Sequence, residues 1–415
     1  MTGVNVVGSF RTGDTKWIRC PAGTETLHSG LFTLHLVYTK GAIPMNDVLR
    51  KMVEDYIHNR MPEYIQTLYD VITIPSPTGE EEKKAQWILE QLEAMGAKGA
   101  YRDAAGNVIY PHCLEGAERF PLYTAHMDTV FAGVEKIMPE IDGHTLKAPS
   151  CGDNSSDVAA LLFLIRMMLT LQLRTPAVFA FNVGEEGLGN LKGSRALTDA
   201  FGDRLSYFMA VDGNNDRFVN LAVGSRRYAV HVVTAGGHSY AAFGAANAIN
   251  EAAGIIRDFY SLQVPKDPRT TYNVGTIQGG RTINSIADEV EFTVDMRSVS
   301  HSELEKLDGA FQAILQAHTT DQVKVETLLL GERPCSEGVR HHEIYDRITA
   351  IRKRAGFRTE FSASSTDANI PLSRNIPAIA FGICKGKGAH TLQEELDMTS
   401  LEPGLKQLAA FIWNL

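Results

Sequence analysis

The chain has 415 residues, a net charge of -9, and ordinary shares of apolar (44%) and charged (21%) residues. That length exceeds what one hydrophobic core usually holds, so two domains are expected. The acidic balance and the lack of a long basic run argue against nucleic acid as a partner. A membrane span is excluded on the same basis, because the longest apolar stretch, 158–171, is short and interrupted by Arg166.

Residues 1–44 are rich in Gly, Thr and Ser and show no clear period. They lack the basic start, apolar stretch and small-residue cleavage site of a secretory signal. Two readings stand: an appendage outside the fold, such as upstream translation ahead of Met45, or an added strand or hairpin, since 31–38 reads well as β. From Met45 the pattern is regular. Apolar spacing predicts a helix over 46–68. Thr78-Gly79-Glu80-Glu81 has the form of a capping box opening a helix to about Ala94, which Gly96 ends. Strands are expected at 107–110 and 122–124, a mostly apolar helix at 157–171, and buried strands at 177–181 and 207–211. Strands alternating with helices imply a mainly parallel sheet covered on both faces.

The texture changes after Gly224. A strand at 227–234, a helix at 247–260, strands at 271–277 and 289–297, a helix at 301–317 and a strand at 323–330 follow in β-α-β-β-α-β order, the ferredoxin-like signature. Residues 223–333 thus read as a small α+β domain inserted into a larger α/β domain formed by 45–222 and 334–415. The larger domain resumes with a helix at 342–354, strands near 359–361 and 378–382, and a helix at 401–413. Five scattered cysteines (Cys20, Cys113, Cys151, Cys335, Cys384) form no C-x-x-C pair. They fit free thiols in a reducing cytoplasm better than a disulfide framework.

Residues of metal-ligand type recur beyond the apolar runs: His126 and Asp128, Asp153, Glu185-Glu186, Asp212 and His390. On an extended segment, residues two apart face the same side, so Asp128 can hold the His126 ring. Each element has a plainer reading when taken alone: a helix cap for Asp153, a solvated loop pair for Glu185-Glu186, an Asx turn for Asp212, a loop histidine for His390. Together, carboxylates and imidazoles gathered at strand ends are what a two-zinc hydrolytic centre requires. Two adjacent acids ending a buried strand point in different directions, so one can bind metal while the other acts as general base. The glycine-rich segment 187–193 is misspaced for a dinucleotide loop and follows two acids. Neither a nucleophile elbow nor a Walker A sequence is present.

These blocks, with Gly236-Gly237-His238-Ser239, Asn273-Val274-Gly275, Gly279-Gly280, Asn284 and Asp295-Met296-Arg297, resemble the M20 family of zinc metallopeptidases and amidohydrolases, nearest to tripeptidase-like aminopeptidases of the peptidase T branch. The likeness runs from about Met45 to Leu415. It implies a zinc-exopeptidase-like catalytic domain with an inserted lid and dimerisation domain. It further implies two divalent ions, zinc first and cobalt or manganese as substitutes. Asp153 would bridge them, His126 and Asp212 would complete one site, and Glu186 and His390 the other. Glu185 would be the general base and Asp128 the residue that orients His126. His238 would reach the partner subunit's site in a homodimer joined through 223–333, and Asn284 and Arg297 would hold the substrate, although Arg297 could equally pair with Asp295 inside the lid. Asp367 would be a contact behind the ligands or to the substrate amine. A cis peptide is expected after Asp153. The implied substrate is a small peptide or an N-acyl amino acid. A catalytically inactive homodimeric binding protein is the reading from another class. The stretch Ser155-Ser156-Asp157 departs from the family's usual pattern.

Overall fold

The computed structural model describes residues 45–336 and 342–414, together with strands Gly3–Val7, Glu25–Ser29 and Phe32–Thr39. Those three strands pair antiparallel with one another, the last in the centre. The segment expected to be β at 31–38 is therefore a strand.

The larger domain is built on eight strands in the order Phe361–Ser364, Phe218–Ala222, Ala378–Ala380, Leu205–Ala210, Phe120–His126, Ala177–Asn182, Val108–His112, Tyr101–Arg102. Its centre is parallel: Leu205–Ala210 runs parallel to both neighbours, and Phe120–His126 to Ala177–Asn182. The edge at residues 101–112 is antiparallel. Central strands covered on both faces must be apolar on both, and all six residues of Ala177–Asn182 are buried. Helix Ser156–Thr170 is buried on nearly every side. It lies between the sheet and the long helix Met45–Ile72, against which Phe163 meets the rings of Tyr56 and Tyr64. The closing helix Leu401–Trp413 approaches the chain so closely that a Cβ on Gly404 would fall 1.7 Å from the Ile383 carbonyl oxygen, so only glycine fits.

The inserted domain has the expected order: strand Gly224–Thr234, helix Ala248–Tyr260, strands Thr270–Gly279 and Glu289–Ser298, helix His301–His318 and strand Val323–Arg333. The four strands form one antiparallel sheet, with Thr270–Gly279 and Val323–Arg333 at its edges. Val290, Phe292, Val294 and Met296 alternate inward. With Val230, Phe259 and Phe311 they form a second core separate from that of the large domain.

Several elements had no sequence signal. Helix Lys192–Phe201 and strand Phe218–Ala222 were not anticipated. Nor was a small antiparallel sheet of three-residue strands, Lys385–Lys387, Glu395–Asp397, Thr145–Lys147 and Glu140–Asp142, which are too short to show a period. The expected capping box is corrected: the helix starts at Glu82 with no side-chain cap, and Thr78 Oγ1 donates instead to Asp128 Oδ2 at 2.9 Å. Among the described residues Cys113, Cys151 and Cys384 are free thiols, and no helix is long and apolar enough to cross a membrane.

Candidate metal centre

The carboxyl ends of parallel strands share one side of the sheet, the usual place for a site in open α/β folds. His126 ends Phe120–His126, Glu185 and Glu186 follow Ala177–Asn182, and Asp212 follows Leu205–Ala210. Asp153 sits in the turn Cys151–Ser155 that leads into the buried helix, and the Asp153–Asn154 peptide is cis, as the resemblance implied. His390 lies in the connection of the hairpin formed by Lys385–Lys387 and Glu395–Asp397.

These side chains converge. Asp153 Oδ1 lies 3.1 Å from His126 Nε2, and Asp153 Oδ2 lies 3.2 Å from His390 Nε2. His126 Nε2 is also 3.9 Å from Asp212 Oδ1, and His390 Nε2 is 2.9 Å from Glu186 Oε1. Ligand atoms of His126, Asp153 and Asp212 fall within 4.8 Å of one another, as do those of Asp153, Glu186 and His390 and those of His126, Glu185 and Glu186. Asp153 belongs to the first two sets and turns one oxygen to each. Imidazole nitrogens and carboxylate oxygens in two trios that share an acid fit a pair of divalent cations.

The surroundings prepare the ligands. His126 Nδ1 lies 3.1 Å from the Asp128 carbonyl oxygen, which can only accept, so Nδ1 carries a hydrogen and Nε2 is the nitrogen that would offer its lone pair to a cation. The Asp128 carboxylate is 3.6 Å from Nδ1, beyond hydrogen-bond distance. It accepts instead from the amides of Glu185 (3.0 Å) and Glu186 (2.9 Å) as well as from Thr78, and so fixes the two acids. Burial, with neighbouring carboxylates, pushes Asp212 up to about 7. Burial pushes Glu185 up to about 8, against the opposing pull of Arg333 and His126. Hydrogen bonds that His390 donates to Asp153 and Glu186 raise it to about 10. Asp212 and Glu185 hold their protons and the imidazoles gain them, while Asp153, despite desolvation, is kept ionised by hydrogen bonds from His126 and His390; this is a crowded acidic cluster that positive ions would relieve.

The other expected site residues are placed differently. Arg297 lines a cavity of about 580 Å³ beside the ligands, and its Nε donates to Asp295 Oδ2 at 2.7 Å, the pairing inside the lid. His238 and Asn284 are exposed on the inserted domain and do not line their own chain's cavity. Asp367 is 1% exposed and accepts from Asn182 Nδ2 at 2.7 Å. It lies behind the cavity wall, which argues against contact with a substrate amine.

Two participants escaped the sequence. Arg333, at the end of the last strand of the inserted domain, is 5% exposed. It donates to Glu185 Oε1 at 3.2 Å and to the Glu185 carbonyl. Glu394, 1% exposed, accepts from the amides of Ser150 (2.9 Å), Gly152 (2.7 Å) and Asp153 (2.8 Å), and so locks the turn that presents Asp153. Partners that brace metal ligands commonly affect affinity by about 10- to 100-fold. Glu394→Gln replaces one acceptor oxygen by a donor facing amide hydrogens. It is expected to weaken zinc binding by about that factor, as read by competition with a chelating dye.

Residues 222–322 match the peptidase dimerisation domain of M20 enzymes, and residues 107–256 match peptidase family M28. A putative LysW-lysine/LysW-ornithine hydrolase from Pyrococcus abyssi is 38% identical over 135 residues, 32% of this chain and 36% of that protein. The alignment therefore spans about a third of the relative's length (36%). In fold the chain is similar to a tripeptidase from Staphylococcus aureus, with a TM-score of 0.70, 21% identity, and coverage of 84% of this chain and 96% of that one. It is also similar to a dinuclear metal-binding M20 peptidase from Bacillus subtilis, with a TM-score of 0.57, 15% identity, and coverage of 86% and 97%. The chain thus carries a segment that matches the M20 peptidase dimerisation domain and shares the fold of these peptidases over nearly their whole length, around a candidate ligand cluster.

Proposed function

We propose that the protein hydrolyses an amide bond of small peptides, as a di- or tripeptide aminopeptidase dependent on two divalent ions, zinc first and cobalt or manganese as substitutes. The observation that carries this reading is Asp153, whose two oxygens face two separate trios of donors at the floor of a cavity sized for a small ligand. His126, Asp153 and Asp212 would hold one ion, and Asp153, Glu186 and His390 the other. When bound, the ions supply Lewis-acid polarisation of the scissile carbonyl and ease deprotonation of water.

The chain's own residues do the rest. Glu185, buried beside both trios, takes a proton from the attacking water and returns it to the leaving amine. Asp128 fixes the backbone that carries Glu185 and Glu186. Arg297 takes the substrate carboxylate, since a guanidinium matches that geometry. His238 and Asn284 act on the partner's site in a homodimer formed through 223–333, His238 by stabilising the oxyanion. Their exposure on the inserted domain, beside the exposed apolar side chains Tyr240, Phe243 and Ile283, supports this arrangement.

A second reading, an N-acyl-amino-acid deacylase, is favoured by the Pyrococcus relative, whose description names a LysW-lysine/LysW-ornithine hydrolase. A screen of dipeptides, tripeptides and N-acetyl amino acids with zinc, cobalt and manganese tests both. Cleavage restricted to substrates with a free α-amino group supports the aminopeptidase, and cleavage of the N-acetyl set the deacylase. No cleavage together with no metal uptake rejects both and leaves an inactive binding protein. An active monomer in sedimentation would reject the role given to His238.

A further inference from the structure

Outside the metal cluster, the cavity's cationic side chains are not all matched by carboxylates. Five cationic side chains line it: Arg217, Arg227, Arg297, Arg333 and Lys387. Arg333 is matched by Glu185, and Lys387 by Glu395 at 2.9 Å. Arg227 and Arg297 divide the two oxygens of one acid, Asp295, at 3.0 and 2.7 Å, so that pair retains one positive charge. Arg217, on the loop just after Asp212, makes no ion pair among the described residues. Of the lining acids, Asp153, Glu186 and Asp212 belong to the metal cluster, while Glu394 is held by backbone amides. Two guanidinium charges are left facing the cavity.

The crowding is real. Burial and then the neighbouring Arg333 and Arg297 hold the Arg227 guanidinium below its ordinary range. Like charges gathered around one cavity favour a ligand of opposite sign, with the half-buried Arg227–Arg297 pair the less screened and the exposed Arg217 at the rim the more screened. One carboxylate satisfies the Arg227–Arg297 pair, but it leaves Arg217 unanswered.

We propose that the substrate is a dianion, a small peptide or N-acyl amino acid that carries an acidic side chain as well as its terminal carboxylate, with Arg217 as the residue that selects the second negative charge. This rests on the amide-hydrolase reading above and narrows it.

The test compares matched pairs that differ only in acid against amide: Ala-Glu with Ala-Gln, Glu-Ala with Gln-Ala, and N-acetylglutamate with N-acetylglutamine. Each pair is assayed with the zinc-, cobalt- or manganese-loaded protein. In at least one pair the acidic member is expected to have a kcat/KM at least tenfold higher. Arg217→Gln is expected to reduce that acid-to-amide ratio at least fivefold, chiefly through KM for the acidic member, and Arg217→Lys is expected to restore part of it. If both members of every pair are cleaved equally, or if Arg217→Gln lowers them in the same proportion, the dianion assignment is overturned and the amide-hydrolase reading stands. If no member of any pair is cleaved, and neutral di- and tripeptides are not cleaved either, the amide-hydrolase reading fails and takes this assignment with it.

Discussion

Glu185→Gln is expected to lower kcat by about 10²- to 10⁴-fold, the range that a positioned proton-transfer group contributes. Glutamine keeps the length and shape of the side chain, and its carbonyl oxygen still accepts from Arg333 Nη1, which lies 3.2 Å from the carboxylate. Arg333 also holds the Glu185 carbonyl, so the backbone at this position is retained. What the amide loses is the ability to accept a proton from water. Glu185 is absent from the two trios that share Asp153, and in its own trio with His126 and Glu186 the glutamine keeps a donor oxygen, so metal content by elemental analysis is expected to stay near that of the parent. A variant with both normal metal content and normal turnover would remove Glu185 from its assigned role.

Asp153→Ala is expected to do something different: to lose metal and activity together, with turnover below about one thousandth of the parent. Its two oxygens stand 3.1 Å from His126 Nε2 and 3.2 Å from His390 Nε2, and each of the two trios is reduced to a pair without it. Three protein donors is the usual minimum for a catalytic zinc site. The contrast between the variants is the informative part, since one removes chemistry from a loaded site and the other removes the site. Retention of two ions per chain in Asp153→Ala, by elemental analysis after dialysis, would contradict a bridging role.

The parts of this site that were legible in sequence are those attached to strong periodic signals. His126, Glu185-Glu186 and Asp212 directly follow buried apolar strands, so a sheet that places those strands parallel also places their ends together. The inserted domain was legible because Val290, Phe292, Val294 and Met296 alternate without interruption. What escaped was set by tertiary contacts alone. Glu394 stands in a polar turn between two short strands, and nothing local distinguishes it from its exposed neighbours. Arg333 reads as the polar end of a strand, yet it is buried against Glu185. The Thr78–Glu81 segment shows how a strong local pattern can be redirected. Thr78 donates to Asp128, and Glu81 accepts from the Gly184 amide at 3.2 Å, so both ends of the apparent capping box serve the scaffold of the site. Tertiary partners outcompeted the helix terminus for the same side chains.

The grip of Glu394 on the turn at Ser150–Asp153 joins positions 241 residues apart, with the whole inserted domain strung between them. Closing so long a loop is slow and entropically costly, so the ligand cage assembles only after both flanks of the polypeptide have docked. A cation captured by residues from either flank then acts as a staple across that seam. At a hundredfold excess over its dissociation constant it would add about 2.7 kcal/mol to the native state, and chelators would then lower the melting temperature of the loaded protein.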